Sequence, residues 1–462
     1  MRRLFLLVFF AAAANAAIAP IDYRHRTLAN GLQVYSIEDH ATPTVAIQVW
    51  YHVGSKDDPP HRSGFAHLFE HLMFKSTAHM KAEMMDRLTE DVGGENNAST
   101  NDDVTRYYDI VPSNYLQTLL WAEGERMASL NVDEANFKSE REVVKEEFRT
   151  SVLGPPYGLF FYAIDKDSFA KHPYHRPTIG SIEDLDAASL ADVRKFHDTF
   201  YRPDNAVLIV AGDFEPKQLD AWVDKYLGAV PKPSAPIPRV TVQEPPRAAE
   251  KRFDEHGANV PLPAIAITWL IPPASSADAE PLNLLEAILG NGESSRLYQS
   301  LVYRQQIAQD VGAFSDLRED TGIFATTATL ASGKKPAAVE KALREEVRKV
   351  MEKPVSAAEL EKARNLVITG ALRERETDLG KANSIGDAVI FRHDAGYANK
   401  RLQRLQEVTA ADVQRVAKKY LGAKDVVITY TSGAPASSPA GRAGTPAVQP
   451  AGRRRSEFGG SK

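Results

Sequence analysis

The sequence predicts an α+β protein of two homologous α/β domains, each a mostly antiparallel sheet with helices packed on one side. Two observations lead to this prediction. Strand-like and helix-like stretches recur in the same order at a separation of about 220 residues. Strands also alternate with long helical stretches, but the first strands resemble hairpin partners, which favours an antiparallel or mixed sheet over a doubly wound one.

Three pairs of stretches carry the repeat. Residues 45–50 (VAIQVW) match 264–269 (AIAITW) as strands. The apolar helical stretch HLFEHLM at 67–73 matches NLLEAIL. The third pair is LADV and AADV, which begin at positions 190 and 410. Chance similarity of short apolar runs is the alternative, and three matches in one order at nearly one separation argue against it.

The repeat sets the expected domain boundaries. Each half ends in a β-branched strand, at 205–210 and 425–429. We therefore expect an N-terminal domain over residues 20–230 and a C-terminal domain over 247–431. The proline-rich residues 231–246 between them predict an extended, fairly stiff linker.

Composition excludes several classes of protein. The 462 residues are too many for one ordinary core, and 43% hydrophobic with 25% charged residues indicates a globular chain. A net charge of −5 predicts no general nucleic-acid surface. Because the chain has no cysteine, a disulfide scaffold, a thiol nucleophile and a cysteine-bound zinc are excluded.

Both ends of the chain differ from its middle. Arg2 and Arg3, the apolar residues 4–10 and an A-x-A site at 14–16 predict a cleaved export signal over residues 1–19. A membrane anchor is the alternative, but the apolar run is shorter than the roughly 20 residues that span a bilayer. We expect an exported protein, periplasmic in a Gram-negative source, without an integral membrane segment in the mature chain. Residues 432–462, rich in Pro, Ala, Gly and Ser, predict a disordered tail.

The helical stretch at 65–74 carries the residues with the clearest chemistry. His67 and His71 are one helical turn apart on the same face, where two imidazoles can bind one zinc ion. Glu70 is close enough to act as general base on a zinc-bound water. Two incidental histidines are the alternative, but burial in an apolar helix makes unpaired polar groups costly.

Catalytic zinc usually has a third protein ligand. An acidic helical stretch, EREVVKEE, begins at Glu140 and ends at Glu147, about 75 residues after His71. The two glutamates are seven positions apart and share a helix face. From residue types alone, either could bind the metal while the other orients a ligand, and a solvated acidic face remains the alternative.

These motifs together resemble a known family. HxxEH followed about 75 residues later by ExxxxxxE is similar to the pitrilysin/insulinase superfamily of inverted zincins, which includes the mitochondrial processing peptidases and many bacterial peptidases. The resemblance covers nearly the whole chain between signal and tail. Its other pieces are LANGL at 28–32, GGENNAST at 93–100, TRYY at 105–108, YRPDN at 201–205 and VAGD at 210–213.

The resemblance implies roles for five residues. His67, His71 and Glu147 correspond to the ligands of one zinc ion per chain. Glu70 corresponds to the catalytic base, and Glu140 to a second catalytic carboxylate behind the ligands. The family also implies that a peptide substrate pairs as a strand with an edge strand near Asn97, Ala98, Ser99 and Thr100, which grips the backbone and tolerates varied sequences.

The second domain has lost the site. Asn283 and Ala287 stand opposite the two histidines, and Gly370 stands opposite Glu147, while Glu286 remains. We therefore expect the second domain to bind no zinc and to pack against the first as a wall of the substrate chamber.

The resemblance also reveals a departure from the family pattern. Relatives carry, in a later domain, an arginine and a tyrosine seven residues apart that bind substrate, and here Val302 and Gln309 occupy those positions. Nearby candidates, none in register, are Arg296, Tyr298, Tyr303 and Arg304. This implies a heterodimer with a related subunit that carries the Arg/Tyr pair, with a homodimer as the alternative.

The sequence thus predicts an exported, zinc-dependent endopeptidase that cuts peptides or unfolded segments. A non-catalytic structural subunit of the same superfamily is the first alternative, and a metal-binding module without chemistry is the second. The complete set of ligands and the retained Glu70 favour the enzyme.

Overall fold

A computed structural model describes residues 19–433 of the chain. The expected export signal lies outside these residues, apart from Ala19. The expected tail also lies outside them, apart from Ser432 and Gly433. Ser432 is the last residue of a strand rather than the first residue of a tail.

Two mixed sheets form the centre of the molecule. The first sheet has the order β1-β2-β6-β3-β5-β4 and the second β7-β11-β8-β10-β9. Their strands are β1 (Arg24–Thr27), β2 (Gln33–Glu38), β3 (Thr44–Tyr51), β4 (Glu95–Thr100), β5 (Thr105–Pro112), β6 (Ala206–Gly212), β7 (Lys251–Gly257), β8 (Ala264–Ile271), β9 (Ala308–Asp316), β10 (Gly322–Leu330) and β11 (Val426–Ser432). Among these strands, β2–β6 and β7–β11 pair in parallel and the other neighbours pair antiparallel.

The two sheets have the same topology. If β7, β11, β8, β10 and β9 are equated with β2, β6, β3, β5 and β4, the two strand orders coincide, and β1 is an addition to the first sheet. The strands expected at 45–50, 205–210, 264–269 and 425–429 are β3, β6, β8 and β11. The predicted fold class, two homologous and mostly antiparallel α/β units, is confirmed.

Helices connect the strands in both halves. The α-helices of the described chain are α1 (Phe65–Leu72), α2 (Met84–Glu90), α3 (Leu116–Ser129), α4 (Glu134–Glu147), α5 (Gly158–Ser168), α6 (Ile182–Ala187), α7 (Leu190–Phe200), α8 (Pro216–Tyr226), α9 (Ala279–Gly290), α10 (Pro336–Glu352), α11 (Ala357–Glu374), α12 (Asp378–Arg392), α13 (Tyr397–Glu407) and α14 (Ala410–Val416). The repeat extends to their caps, since Ser189 and Thr409 form equivalent capping boxes at the starts of α7 and α14.

Each half buries one face of its sheet under its own helices, as predicted. In the first half, Val45, Ile47 and Val49 of β3 pack with Phe69 of α1 and Leu119 of α3. In the second half, strand residues of β8 and β10 pack under α9, α10 and α14. These two cores contain most of the buried apolar residues, and burial of apolar side chains is the dominant stabilising contribution to a fold of this kind.

The opposite face of each sheet is covered by a helix from the other half. Helix α12 lies on the first sheet, where Ile385 packs with Ile209 and Trp50. Gly386 has no room for a side chain, since a Cβ there would lie 2.4 Å from the Trp50 ring. Helix α5 lies on the second sheet, where Phe160 joins a core with Tyr430 and other strand residues. The sequence predicted packing between the halves but not this exchange of helices.

A buried ion cluster joins the halves beside the exchanged helices. Arg318, in the loop between β9 and β10, lies 3.1 Å from Asp102 and 2.5 Å from both Asp165 and Asp316. Lys56 of the first half is likewise buried, and its Nζ lies 2.9 Å from Asp103 and 2.6 Å from Glu319 of the second half. Both cations are about 5% exposed, so each charge depends on its partners for stabilisation.

The expected linker, residues 231–246, contains no helix or strand and is attached to the first half. Arg239 donates hydrogen bonds to the His52 carbonyl at 2.8 Å and to the Asn205 side chain at 2.5 Å. The Glu244 carboxylate accepts from three successive backbone N–H groups, at 170–172. None of the helices within residues 19–433 is both long and apolar enough to cross a lipid bilayer.

We predict that Arg318→Met destabilises the chain by about 3–5 kcal/mol, because it leaves three carboxylates close together at the junction without their cation. Arg252→Met is the matched control: Arg252 also bonds a carboxylate, that of Glu340, but is 55% exposed, and its loss costs about 1 kcal/mol or less. Denaturant unfolding followed by circular dichroism measures both. Equal effects of the two substitutions would contradict the importance of the buried cluster.

Candidate metal centre

Helix α1 is held in place from its N-terminus and from its apolar face. Its N-cap, Gly64, has a φ of +94°, and a Cβ there would lie 2.9 Å from a backbone oxygen, so the entry to the helix requires glycine. The Asp58 carboxylate accepts the N–H groups of Gly64 at 2.7 Å and Ala66 at 2.9 Å. Phe69 is fully buried, and its carbonyl accepts a hydrogen bond from Tyr107 of β5. The sequence did not single out Asp58.

Helix α4 brings the acidic residues to the same place. It begins with Asp133, which caps the N–H of Asn136 at 2.8 Å, and Phe137 and Val144 bury one of its faces in the first core. Its last residue is Glu147, after which the chain forms a π-helical turn at Phe148–Leu153. Because α4 packs against α1, its last turn lies beside the two histidines.

His67, His71 and Glu147 converge on one point. Oε2 of Glu147 lies 3.6 Å from Nε2 of His67 and 3.4 Å from Nε2 of His71. The three side chains each offer a ligand atom within 4.8 Å of the other two, and they form the one such group of His, Asp and Glu found within residues 19–433. The structure therefore brings together the residues that the motif predicted as ligands.

The donor set fits zinc. Two imidazole nitrogens and one carboxylate oxygen are the ligands of many catalytic zinc sites, and ligand atoms about 2.0–2.1 Å from a tetrahedral ion lie about 3.3 Å from one another. The distances of 3.4 and 3.6 Å approach that value. Three protein ligands leave the fourth position of a tetrahedral ion open.

Glu140 lies behind His71, as the family pattern implied. Its carboxylate is 6% exposed and lies 3.8 Å from Nδ1 of His71, on the side of the ring away from Glu147. Nζ of Lys75 lies 2.8 Å from the other Glu140 oxygen. Lys75 is four residues after His71, so helical spacing could have found it, but the sequence alone did not identify it as part of the centre.

Glu70 faces the edge strand of the first sheet. Its Oε2 accepts a hydrogen bond of 2.6 Å from the Thr100 hydroxyl at the end of β4. Asn97, Ala98 and Ser99 also lie on β4, which is the last strand of the sheet and pairs on one side with β5. Ala98 packs towards the first core, and Ser99, pointing the other way, accepts a hydrogen bond from Arg106.

The electrostatic environment differs between the two histidines. Burial lowers the pKa of His67 to about 4, which favours the neutral ring that a metal requires. Burial also acts to lower the pKa of His71, but the hydrogen bond and negative charge of Glu147 outweigh it and raise that pKa. Burial raises the pKa of Glu70, against the opposing effect of the Thr100 hydroxyl.

Comparisons with known proteins show the family to which the chain belongs. Residues 33–181 match the family model "Insulinase (Peptidase family M16)", and residues 187–367 match "Peptidase M16 inactive domain". The chain is 30% identical to the zinc protease PqqE of Helicobacter pylori over 421 residues, which are 90% of this chain and 94% of that protein. The chain belongs to the M16 family of peptidases.

A further relative is similar in sequence, and two solved structures are similar in fold. The chain is 24% identical to a probable mitochondrial-processing peptidase subunit beta of Arabidopsis thaliana, over 90% of this chain and 80% of that one. A solved protease from Helicobacter pylori matches with a TM-score of 0.86 at 28% identity, covering 89% of this chain and all of that one. An M16 inactive domain from Pseudomonas fluorescens matches with a TM-score of 0.80 at 17% identity, over 90% and 99% of the two chains.

The second half of this M16 chain lacks the ligands. Asn283 of α9 bonds Glu280 at 3.0 Å and Ser315 at 3.1 Å, and Ala287 is buried in the second core. Gly370 is exposed, with open space where a side chain would be. Glu286 keeps a bond to the hydroxyl of Ser315.

Val302 and Gln309 stand at the positions where the resemblance implies an arginine and a tyrosine. Val302 packs against the second core, and Gln309 lies in strand β9 rather than in a helix. Arg296 is engaged by Glu359 through two hydrogen bonds of 2.6 and 2.8 Å. Tyr303 lies near the end of the short helical segment Tyr298–Arg304, and its side chain is 69% exposed.

We predict that the first half alone binds zinc, at one ion per chain. His71→Ala should abolish stoichiometric zinc because it removes one of three ligands, whereas Asn283→Ala at the equivalent position of α9 should leave the zinc content unchanged. Metal analysis of the purified variants measures this. Full zinc retention by His71→Ala would contradict the assignment.

Proposed function

We propose that this chain is a zinc-dependent endopeptidase that hydrolyses peptides or unfolded segments at the centre formed by α1, α4 and β4. The observation that carries the proposal is the convergence of His67, His71 and Glu147 on one point, with Glu70 one residue from His71 and bonded to the edge strand. Membership of a peptidase family supports it.

Each residue has a distinct role in the proposed reaction. His67, His71 and Glu147 would hold the zinc ion, and Glu140 would orient the His71 ring from behind. Zinc, when bound, acidifies water and polarises a carbonyl oxygen. Glu70 takes a proton from the water that attacks the peptide carbonyl and delivers it to the leaving amine as the C–N bond breaks. Burial, which raises the pKa of Glu70, suits a group that must both accept and release a proton.

The substrate is proposed to bind as an extended strand beside β4. An edge strand presents unpaired backbone N–H and C=O groups to an incoming peptide. Asn97 and Ser99 alternate with Ala98 and Thr100 along this strand, so the chain places polar side chains on the face away from the core. Backbone pairing requires an unfolded segment and sets little preference for its sequence.

The alternative is a non-catalytic structural subunit. The match of residues 187–367 to a model described as an inactive domain favours that reading for the second half. The first half argues against it, because a structural subunit has no need for three converging ligands and a buried glutamate, which are costly to desolvate.

We predict that Glu70→Gln retains zinc and the fold but loses at least about a hundredfold in peptide hydrolysis, the usual contribution of a general base. Cleavage of a fluorogenic unstructured peptide, with zinc content and circular dichroism as controls, measures this. Glu286→Gln at the equivalent position of α9 should cleave the peptide at the wild-type rate. Wild-type hydrolysis by Glu70→Gln would exclude Glu70 as the base.

We also propose that the chain is the metal-bearing subunit of a heterodimer. Val302 and Gln309 replace the arginine and tyrosine of the family pattern, and Arg296 is already paired with Glu359. A homodimer would have two zinc centres and no Arg/Tyr pair. A related chain that carries the pair but lacks HxxEH would complete the site. The Arabidopsis relative is itself described as a subunit.

We predict that the isolated chain is a weak peptidase, slower than the complex by about 10²–10³-fold, because the groups that clamp the substrate and stabilise the oxyanion are missing. Addition of a partner with the Arg/Tyr pair should raise the rate and yield a 1:1 complex by light scattering. Full activity of the isolated chain, unchanged by such a partner, would contradict this proposal.

Export to the periplasm is a further part of the proposal. It rests on the sequence of residues 1–18, which lie outside the described part of the chain. A basic pair, an apolar run and an A-x-A site in that order are typical of a cleaved signal.

A further inference from the structure

We propose that Thr100 is a positioning residue, which holds the carboxylate of Glu70 in the orientation required for proton transfer and couples the base to the strand that receives the substrate. The inference rests on the proposed function, since it assigns a role in the reaction of the same centre.

The hydroxyl of Thr100 is committed to Glu70. Its oxygen lies 2.6 Å from Oε2 of Glu70 and 3.3 Å from the hydroxyl of Thr105. Thr105 uses its own proton for the Val53 carbonyl, at 3.0 Å. The single proton of Thr100 therefore goes to the carboxylate, which is the stronger acceptor at the shorter distance.

This bond restrains a side chain that would otherwise be mobile. A glutamate has three rotatable side-chain bonds, and fixing them costs conformational entropy. The bond from the Thr100 hydroxyl ties Oε2 of Glu70 to β4 and so restrains the orientation of the carboxylate. A general base must lie within hydrogen-bond reach of the proton that it removes, so an error of about 1 Å in its position reduces the rate by about a hundredfold.

The second half contains the same bond without the metal ligands. Glu286 of α9 accepts from the Ser315 hydroxyl at 2.6 Å and from the Ser315 N–H at 2.9 Å. Ser315 lies on β9, the edge strand equivalent to β4. The fold therefore builds this helix-to-strand bond whether or not a metal can bind, and in the second half its role is structural.

The comparison of the halves separates the two roles of the bond. In both halves it attaches a helix to an edge strand. In the first half alone, the accepting carboxylate also stands beside His67 and His71, and the donating strand is the one proposed to pair with the substrate. Thr100 thus places the base relative to β4 and its bound peptide, rather than relative to α1 alone.

The test uses Thr100→Val, which keeps the shape of the side chain and removes its hydroxyl. In the full chain, kcat for a fluorogenic unstructured peptide should fall by about tenfold to a hundredfold. KM should stay within about twofold of the wild-type value, because binding of the substrate is unchanged. Zinc should remain at one per chain, and Thr100→Ser should recover most of the loss.

Two controls distinguish positioning from structure. Ser315→Ala removes the hydroxyl bond to Glu286 in the second half, keeps the bond from the Ser315 N–H, and should leave kcat unchanged. In a Glu70→Gln background, Thr100→Val should cause no further loss of activity, because the two residues act through one group.

Several results would overturn the inference. They are wild-type kcat in Thr100→Val, loss of zinc from that variant, an equal fall in kcat for Ser315→Ala, or a further loss in the Glu70→Gln background. The failure of the proposed function is distinguishable: it requires that Glu70→Gln itself cleave at the wild-type rate. If Glu70→Gln is inactive and Thr100→Val has the wild-type kcat, the inference about Thr100 alone is wrong.

Discussion

The metal centre depends on the burial of the apolar face of α1 against the first sheet. Phe65, Leu68 and Phe69 are fully buried, and each such side chain contributes roughly 1.5–3 kcal/mol when it leaves water. The free energy gained by burying these side chains offsets the cost of removing His67 and Glu70 from water. The burial of His67 itself lowers its pKa to about 4. Since α4 packs on the same helix, the position of Glu147 follows from the packing of α1.

The exchange of α5 and α12 makes each sheet depend on the other half of the chain. Without α12, the face of the first sheet that carries Trp50 and Ile209 would be exposed to water, and without α5 the second sheet would expose Tyr430. Large exposed apolar patches are rare on soluble proteins and promote association or aggregation. The ion cluster around Arg318 lies at the same junction. The retention of a second half that lacks zinc ligands has a physical reason, because it completes the core of the half that has them.

The sequence predicted most of the fold and the ligand set because both leave local periodic signals. Alternating β-branched residues marked β3 and β8, and the four-residue spacing of His67 and His71 marked one face of α1. The exchange of helices could not be predicted, since the sequences of α5 and α12 do not state which sheet these helices cover. Asp58, Lys75 and the bond of Thr100 to Glu70 were missed for a related reason. Each contact depends on the relative position of two elements, which the fold determines.

The two halves also show that the helix keeps its place in the fold when the metal ligands are absent. In α9, Asn283 and Ala287 occupy the positions of the histidines, yet α9 has the same relation to its sheet as α1 has to the first. Asn283 forms hydrogen bonds with Glu280 and Ser315, and Ala287 is buried in the second core. The glutamate and its hydroxyl partner, by contrast, are present in both halves. The helix therefore takes the same position in the fold with or without metal ligands, whereas the bond between helix and edge strand is present in both halves. In the first half this bond lies beside His67 and His71, where it also orients the carboxylate that we propose as the general base.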